Sequence, residues 1–170
     1  KVMATVEARD GQIAGDLAPD AGTVSLDGIV PGRSPDAWRK QVFWVNPRTE
    51  SFNAITTVEY IETLTRVHAR LDAAHVLELA DSLGLSPHID KPLYMLSTGS
   101  RRKVFLAAAF GAGATVTLLD EPFAALDGPS MARVRQLLRD AAALSGRAWV
   151  VADYEAPAGV TFAATIDLGD

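Results

Sequence analysis

Two adjacent carboxylates follow a short apolar run, and this arrangement can support chemistry. The run Val116–Leu119 is followed by Asp120, Glu121 and Pro122. Ligands bind at the carboxyl ends of parallel strands in open α/β sheets, so a strand here would carry both carboxylates to such a site. One carboxylate can hold Mg²⁺, directly or through water, and the other can polarise an attacking water. The alternative is an Asp-Glu-Pro turn that merely follows a strand.

A second group combines hydroxyls, a glycine and positive charge. Ser97, Thr98, Gly99 and Ser100 precede the basic residues 101–103. A hydroxyl at a helix start, beside a glycine that lets the backbone approach closely, forms a site for an anion. The alternative is an ordinary Ser/Thr cap on a helix whose basic first turn is solvated.

Composition narrows the classes of function. The chain has 170 residues, 48% of them hydrophobic, which is enough for one domain with a core. Its net charge of −5 and the lack of a basic stripe argue against a nucleic-acid partner. The chain has no cysteine, so thiolate metal sites are excluded, and its three histidines lack metal-ligand spacing. The longest uncharged run, Val104–Leu119, is shorter than the roughly 20 residues of a spanning helix, so a partner would supply any membrane part.

The elements that must position these residues follow from the apolar periodicity. Strands are expected at Thr23–Leu26, Gln41–Val45, Val116–Leu119, Ala148–Ala152 and Ala164–Leu168. Spacings of three and four predict helices over 57–71, from an Asp72 cap to a Gly84 stop, from Ser97 or Thr98 to Phe110, and from Pro129 to Gly146 with Leu144 on the apolar stripe. Strands at both ends and helices between them predict an α/β sheet with an inserted helical subdomain.

The two chemical groups together resemble the motifs of ABC ATPases. The stretch Leu96–Asp127 is similar to that family's signature helix, Walker B strand and D-loop. Walker B and its following glutamate match fully at 118–121, and the D-loop matches at 125–127. The signature there reads leucine-serine-glycine-glycine-glutamine, so Thr98 and Ser100 depart from it.

The resemblance implies an ABC ATPase fold and a mechanism. The fold would be a P-loop NTPase-type sheet core, at 1–56 and 101–170, with a helical subdomain at 57–100. Two subunits, identical or different, would sandwich ATP head to tail, with Mg²⁺ as the second cofactor. Asp120 would hold Mg²⁺, Glu121 would position or activate water, and Asp127 would link the two sites. The signature residues of one subunit would touch the phosphate held by the other: Ser97, Thr98, Gly99 and Ser100.

Three features depart from the family pattern. None of the four lysines stands in a Gly-Lys-Ser/Thr P-loop, and a segment of about 30 residues or more is expected to be missing between Asp10 and Gly11. The alternative is a degenerate protein that has lost the loop. The family's glutamine after the second strand is replaced by one of three candidates: Asn46, Pro47 or Arg48. The family's histidine after the strand at Ala148–Ala152 is replaced by Asp153 and Tyr154, which puts hydrolysis in doubt more than nucleotide binding.

The expected function is therefore that of an ATP-binding subunit of an ABC transporter. It would hydrolyse ATP and drive an integral membrane subunit from the cytoplasmic face of the cell membrane. One alternative is a nucleotide-binding regulatory partner that hydrolyses weakly. Another is a soluble ABC ATPase that acts outside transport.

Overall fold

The computed structural model of the protein describes residues 2–3, 14–15 and 22–166. Strand β1 (Val2–Met3) pairs antiparallel with β2 (Ser25–Leu26). Only the last two residues of the strand predicted at 23–26 therefore form a strand. The predicted turn after β2 is confirmed. Asp27 and Gly28 both have positive φ, as in the tight turns that connect hairpins. The junction between Asp10 and Gly11 lies outside the described residues.

A parallel sheet of three strands carries the candidate site. It contains β3 (Val42–Phe43), β4 (Val116–Asp120) and β5 (Ala148–Ala152), with β4 in the centre. The first four residues of β4 are buried, as the apolar run predicts for a strand covered on both faces. Strand β5 is half-buried along its length, although the sequence predicted a buried strand.

Five α-helices are described, and two of them, Ala73–Ser82 and Thr98–Gly111, begin and end close to the residues that the sequence indicates. They are α1 (Pro35–Gln41), α2 (Thr57–Thr65), α3 (Ala73–Ser82), α4 (Thr98–Gly111) and α5 (Gly128–Ala142). Short 3₁₀ turns lie at Ser86–His88 and Leu93–Met95. Asp72 caps α3 by accepting from the amides of Ala74 and His75, and Gly84 follows the end of α3 with a φ of 78°.

Four predictions about elements are wrong. The strand predicted at Gln41–Val45 is limited to Val42–Phe43, because Gln41 is the last residue of α1. Helix α2 ends at Thr65, so the predicted helix does not continue to residue 71. Leu144 lies beyond the end of α5 and is 52% exposed, so it is not part of an apolar stripe. No strand forms at 164–166, and the remaining two residues of that predicted strand lie outside the described part.

Helix α4 is the central element of the core. Its residues from Val104 to Gly111 are buried, because α3 packs on one side of it and β4 on another. Gly111 is needed for this packing, since a Cβ atom there would overlap the side chain of Val76 in α3. The predicted domain boundary between residues 100 and 101 falls in the first turn of α4 and stays a prediction. Among the described residues, no helix is long and apolar enough to cross a membrane.

Candidate nucleotide site

Three neighbouring strand ends bring charged residues together. Asp120 is the last residue of β4 and pairs in register with Ala152, the last residue of β5. Asp153 therefore follows at the next strand end, beside the β4 carboxylates. Arg48 follows β3 in a turn in which its N–H donates to Asn46 Oδ1 at 2.9 Å. Because all three strands are parallel, these charges converge at one edge of the sheet.

The surroundings of Asp120 shift the pKa of its carboxyl. Burial raises the pKa of the Asp120 carboxyl, and the neighbouring Glu121 carboxylate raises it further. The positive charges of Arg102 and Arg48 oppose this shift, and the charge of Asp153 adds weakly to it. A divalent cation would reverse the balance, because it favours the ionised form of a carboxyl beside it.

The backbone at Glu121 is held in a strained conformation. Its φ is 43°, in the left-handed region that non-glycine residues rarely adopt. The following Pro122 is buried, and a residue before proline is sterically biased towards extended backbone. The N–H of Glu121 donates to the carbonyl of Ala152 at 2.8 Å, which ties this turn to the end of β5.

Arg102 reaches the same turn from α4. Its side chain is buried, with 8% exposed, and Nη1 donates to the carbonyl oxygens of Asp120, at 3.1 Å, and Glu121. Burial lowers the pKa of the guanidinium, and the carboxylates of Glu121 and Asp120 oppose that shift. Arg102 is not among the predicted site residues. Arg102 precedes Phe105, Leu106 and Ala109 by three, four and seven residues, and this spacing places it on the buried face of α4. The spacing is the signal from which the burial of Arg102 could have been predicted.

The signature residues lie at the exposed start of α4. Ser97 caps the helix, since its Oγ accepts from the Ser100 N–H at 3.1 Å and donates to Ser100 Oγ at 3.0 Å. Ser97 and Thr98 are exposed, while Gly99 and Ser100 are half-buried. The exposed start of a 14-residue helix can bind an anion through its N–H groups and its dipole.

Gly99 packs against the segment that follows the carboxylates. A Cβ atom at Gly99 would overlap the carbonyl oxygen of Ala125, so glycine is required by a close approach within the chain. Ala125 itself has a φ of 61°. The predicted signature and D-loop residues are therefore in direct contact in this chain.

Asp127 is engaged by two groups of the same chain. Its Oδ1 accepts from the Ser130 N–H at 2.8 Å and caps α5, while Oδ2 lies 2.6 Å from Lys103 Nζ. Hydrogen bonds from Lys103 and Ser130 hold the pKa of the Asp127 carboxyl well below its usual range. The predicted contact of Asp127 with a second site stays a prediction.

The two residues in place of the expected histidine differ in position. Asp153 contributes to the electrostatics of Asp120, as its place at the end of β5 predicts. The Tyr154 side chain is 91% exposed, and its N–H donates to Asp153 Oδ1 at 2.9 Å. The structure therefore brings Asp120, Glu121 and Asp153 to one sheet edge, and leaves the Tyr154 ring in solvent.

The residues present fit a magnesium ion that is shared with a nucleotide. In the described part of the chain, no group of three or more acidic, histidine or cysteine side chains could form a complete metal cage. Mg²⁺ commonly keeps several waters and is held by one or two carboxylates and the phosphates of its nucleotide. A single half-buried aspartate such as Asp120 meets that requirement.

Sequence comparison places the chain in a family. Residues 12–124 match the ABC transporter family. The chain is 34% identical over 126 residues to the cytochrome c biogenesis ATP-binding export protein CcmA of Pseudomonas savastanoi pv. phaseolicola, covering 74% of this chain and 59% of that protein. It is 33% identical over 129 residues to the taurine import ATP-binding protein TauB of the same organism, covering 74% of this chain and 48% of that one. The chain belongs to the ABC transporter family.

Solved structures agree with this fold. An ATP-binding subunit of an ABC transporter superposes with a TM-score of 0.74 at 19% identity, covering 85% of this chain and 61% of that one. A dimeric ATP-binding cassette with bound ADP and phosphate gives a TM-score of 0.68 at 22% identity, covering 85% and 68%. The predicted α/β, P-loop NTPase-type fold is thereby confirmed.

Proposed function

We propose that this chain acts as the ATP-binding subunit of an ABC transporter and hydrolyses ATP between two subunits. The observation that carries the proposal is the turn at Asp120 and Glu121, which lies at the end of the central parallel strand. Arg102 and the carbonyl of Ala152 hold that turn. It combines a half-buried carboxylate suited to Mg²⁺ with a second carboxylate suited to activating water.

The residues would divide the chemistry between them. When bound, Mg²⁺ neutralises negative charge on the phosphates. Asp120 would hold the ion, and Glu121 would orient the attacking water and accept its proton. The start of α4 in the second subunit would bind the terminal phosphate through its hydroxyls and N–H groups. Asp127 would order the segment presented to that subunit, since both of its oxygens are engaged within its own chain.

The partners and location follow from this role. The second subunit would be a copy of this chain or a related one, and an integral membrane subunit would convert closure and opening of the pair into transport. The chain would then lie at the cytoplasmic face of the membrane. The two relatives compared above are named for export and for import, so their names indicate a shared ATP-driven step and no common transported molecule. The chain spans 59% or less of their length.

ATP binding and turnover of the full chain test this function. Glu121→Gln keeps the shape of the side chain and removes the base, so turnover should fall by roughly 10²-fold or more while a fluorescent ATP analogue still binds. Glu62→Gln, on the exposed side of α2, is the matched control and should keep the wild-type rate. Equal turnover in all three proteins would remove Glu121 from the mechanism.

One observation favours a second candidate, a nucleotide-binding partner that hydrolyses slowly. Asp153 places a third carboxylate beside Asp120 and Glu121, and an anion there repels phosphate unless a cation or proton intervenes. Asp153→His would remove this repulsion and supply a hydrogen-bond donor. A marked rise in turnover of Asp153→His, from a slow wild type, would support this candidate. A fall in turnover would argue against it.

A further inference from the structure

The strain at Glu121 needs an explanation outside the strand itself. A non-glycine residue in the left-handed region is strained and persists only where its surroundings fix it. Glu121 combines that conformation with a following proline. On the β5 side, the turn has one main-chain hydrogen bond, from the Glu121 N–H to the Ala152 carbonyl.

Arg102 adds side-chain hydrogen bonds to a turn in which the Ala124 N–H also donates to the Glu121 carbonyl at 3.1 Å. One nitrogen of the Arg102 guanidinium donates to both consecutive carbonyls, those of Asp120 and Glu121. These are the peptide oxygens on either side of the strained residue, so the bonds limit rotation at both of its dihedral angles. Nε of Arg102 is buried and has no hydrogen-bond partner among the described residues. Burying a cation in this way costs stability, and the two carbonyl contacts and the nearby carboxylates of Asp120 and Glu121 offset part of that cost.

We propose that Arg102 is a positioning residue for ATP hydrolysis, because its guanidinium fixes the main-chain turn from which the Glu121 carboxylate projects. The inference rests on the proposed function and deepens it. Arg102 acts through the backbone and does not touch the reacting atoms. Its position on α4, five residues after Ser97, joins the phosphate-binding helix start to the carboxylate turn in a single rigid element.

Two substitutions and one matched control test the role of Arg102. Arg102→Met removes both hydrogen bonds and keeps much of the volume, and Arg102→Gln keeps a shorter donor in case the methionine variant does not fold. Arg147→Met is the control. Arg147 is half-buried, its Nε donates to the Ala114 carbonyl at 3.0 Å, and its guanidinium lies 5.2 Å from the Trp149 ring centre. It acts near the amino end of β4, away from Glu121.

The first measurement is hydrogen exchange at the Glu121 amide, which does not depend on ATP. Its protection should fall by roughly tenfold in the Arg102 variants, the effect of losing about one hydrogen bond, while the Leu118 amide in β4 serves as an internal reference. Arg147→Met should leave Glu121 protected. Unchanged protection of Glu121 in a folded Arg102 variant would overturn the proposal.

The second measurement separates kcat from KM. A displaced Glu121 should lower kcat by roughly tenfold to a hundredfold. KM for ATP should stay within about twofold, because binding does not need the displaced base. An equal loss of kcat in Arg147→Met would assign the effect to general stability and overturn the proposal. A wild-type chain without turnover would instead overturn the proposed function, and hydrogen exchange would still decide whether Arg102 fixes the turn.

Discussion

At the scale of single residues, Asp120 is expected to destabilise the ligand-free protein, although the proposed function needs it to hold Mg²⁺. Its pKa is raised, so its contribution to stability is present below the ordinary carboxyl value and is lost as the pH rises through the folded value. At neutral pH the ionised carboxylate therefore destabilises the protein when no cation is bound. Asp120→Asn removes the charge and should raise the urea midpoint at pH 7 in the absence of Mg²⁺ and nucleotide.

The same variant should be stabilised less by its ligands than the wild type is. Wild-type stability should rise with Mg²⁺ and ATP, because ligands that bind the folded state stabilise it. Asp120→Asn should show a smaller rise, and Asp36→Asn on the exposed side of α1 should behave as the wild type. A lower urea midpoint for Asp120→Asn without ligands would contradict the electrostatic argument.

Gly99 is expected to be intolerant of a methyl group. Gly99→Ala would force the Ala125 backbone away, and overpacking of this kind costs about 1–3 kcal/mol of unfolding free energy. Gly128→Ala is the matched control, because a Cβ there meets no atom within 4 Å. Urea unfolding of both variants measures the difference. Equal midpoints would show that the contact between Gly99 and Ala125 relaxes freely.

Residue types and spacing predicted a helix start at Ser97 or Thr98 and the two carboxylates at a strand end, because both depend on local sequence. The role of Arg102 could not be predicted in the same way. A basic residue in the first turn of a helix is normally solvated, and only its contact with residues 18 and 19 positions later reveals its partners. The close approach of Gly99 to Ala125 is likewise a tertiary contact that no local pattern encodes.

At the scale of elements, tertiary packing ended α2 earlier than its periodicity indicated. The apolar residues continue at helical spacing to Leu71, and no glycine or proline interrupts them. His68 instead packs against the Phe43 ring of β3, with ring centres 5.3 Å apart. A Cβ on Gly113 would lie 2.8 Å from the Arg70 carbonyl, so the chain passes close to the end of α4. These contacts override a weak local preference.

The first turn of α5 depends on the pair of Lys103 and Asp127. The pKa of Asp127 is lowered, so its stabilising contribution is present above the ordinary value of about 3.9 and is lost as the pH falls below it. Lys103→Met removes the hydrogen bond from Lys103, which is the largest cause of the lowered pKa of Asp127. The variant should therefore lose less stability than the wild type between pH 5 and about 2.

Thermal unfolding across this pH range measures the effect. Lys40→Met, in the last turn of α1, controls for the loss of one positive charge and should keep the wild-type slope. A slope for Lys103→Met as steep as that of the wild type would show that the ion pair contributes nothing to acid unfolding.

At the scale of the whole molecule, the proposed mechanism predicts association that depends on ATP. Glu121→Gln should form dimers with ATP and Mg²⁺, because the nucleotide is held and not consumed. Adding Ser97→Arg should abolish the dimer, since Ser97 is exposed and the bulk of an arginine there would block its close approach to the phosphate in the second subunit. Sedimentation measures both, with Ser145→Arg on Glu121→Gln as the control at another exposed serine. A dimer that survives Ser97→Arg would exclude the head-to-tail arrangement.

Three consecutive basic residues on α4 reach three separate stretches of the chain. Arg101 donates to Asn53 Oδ1 at 2.8 Å and to the Thr49 carbonyl, Arg102 donates to residues 120 and 121, and Lys103 pairs with Asp127. Successive residues of a helix point about 100° apart, so these partners contact three different faces of α4. Deleting one residue between 98 and 100 would shift the helix register by one, so each of the three basic side chains would point towards the partner of its neighbour. These contacts therefore constrain the length of this segment as well as its residue types.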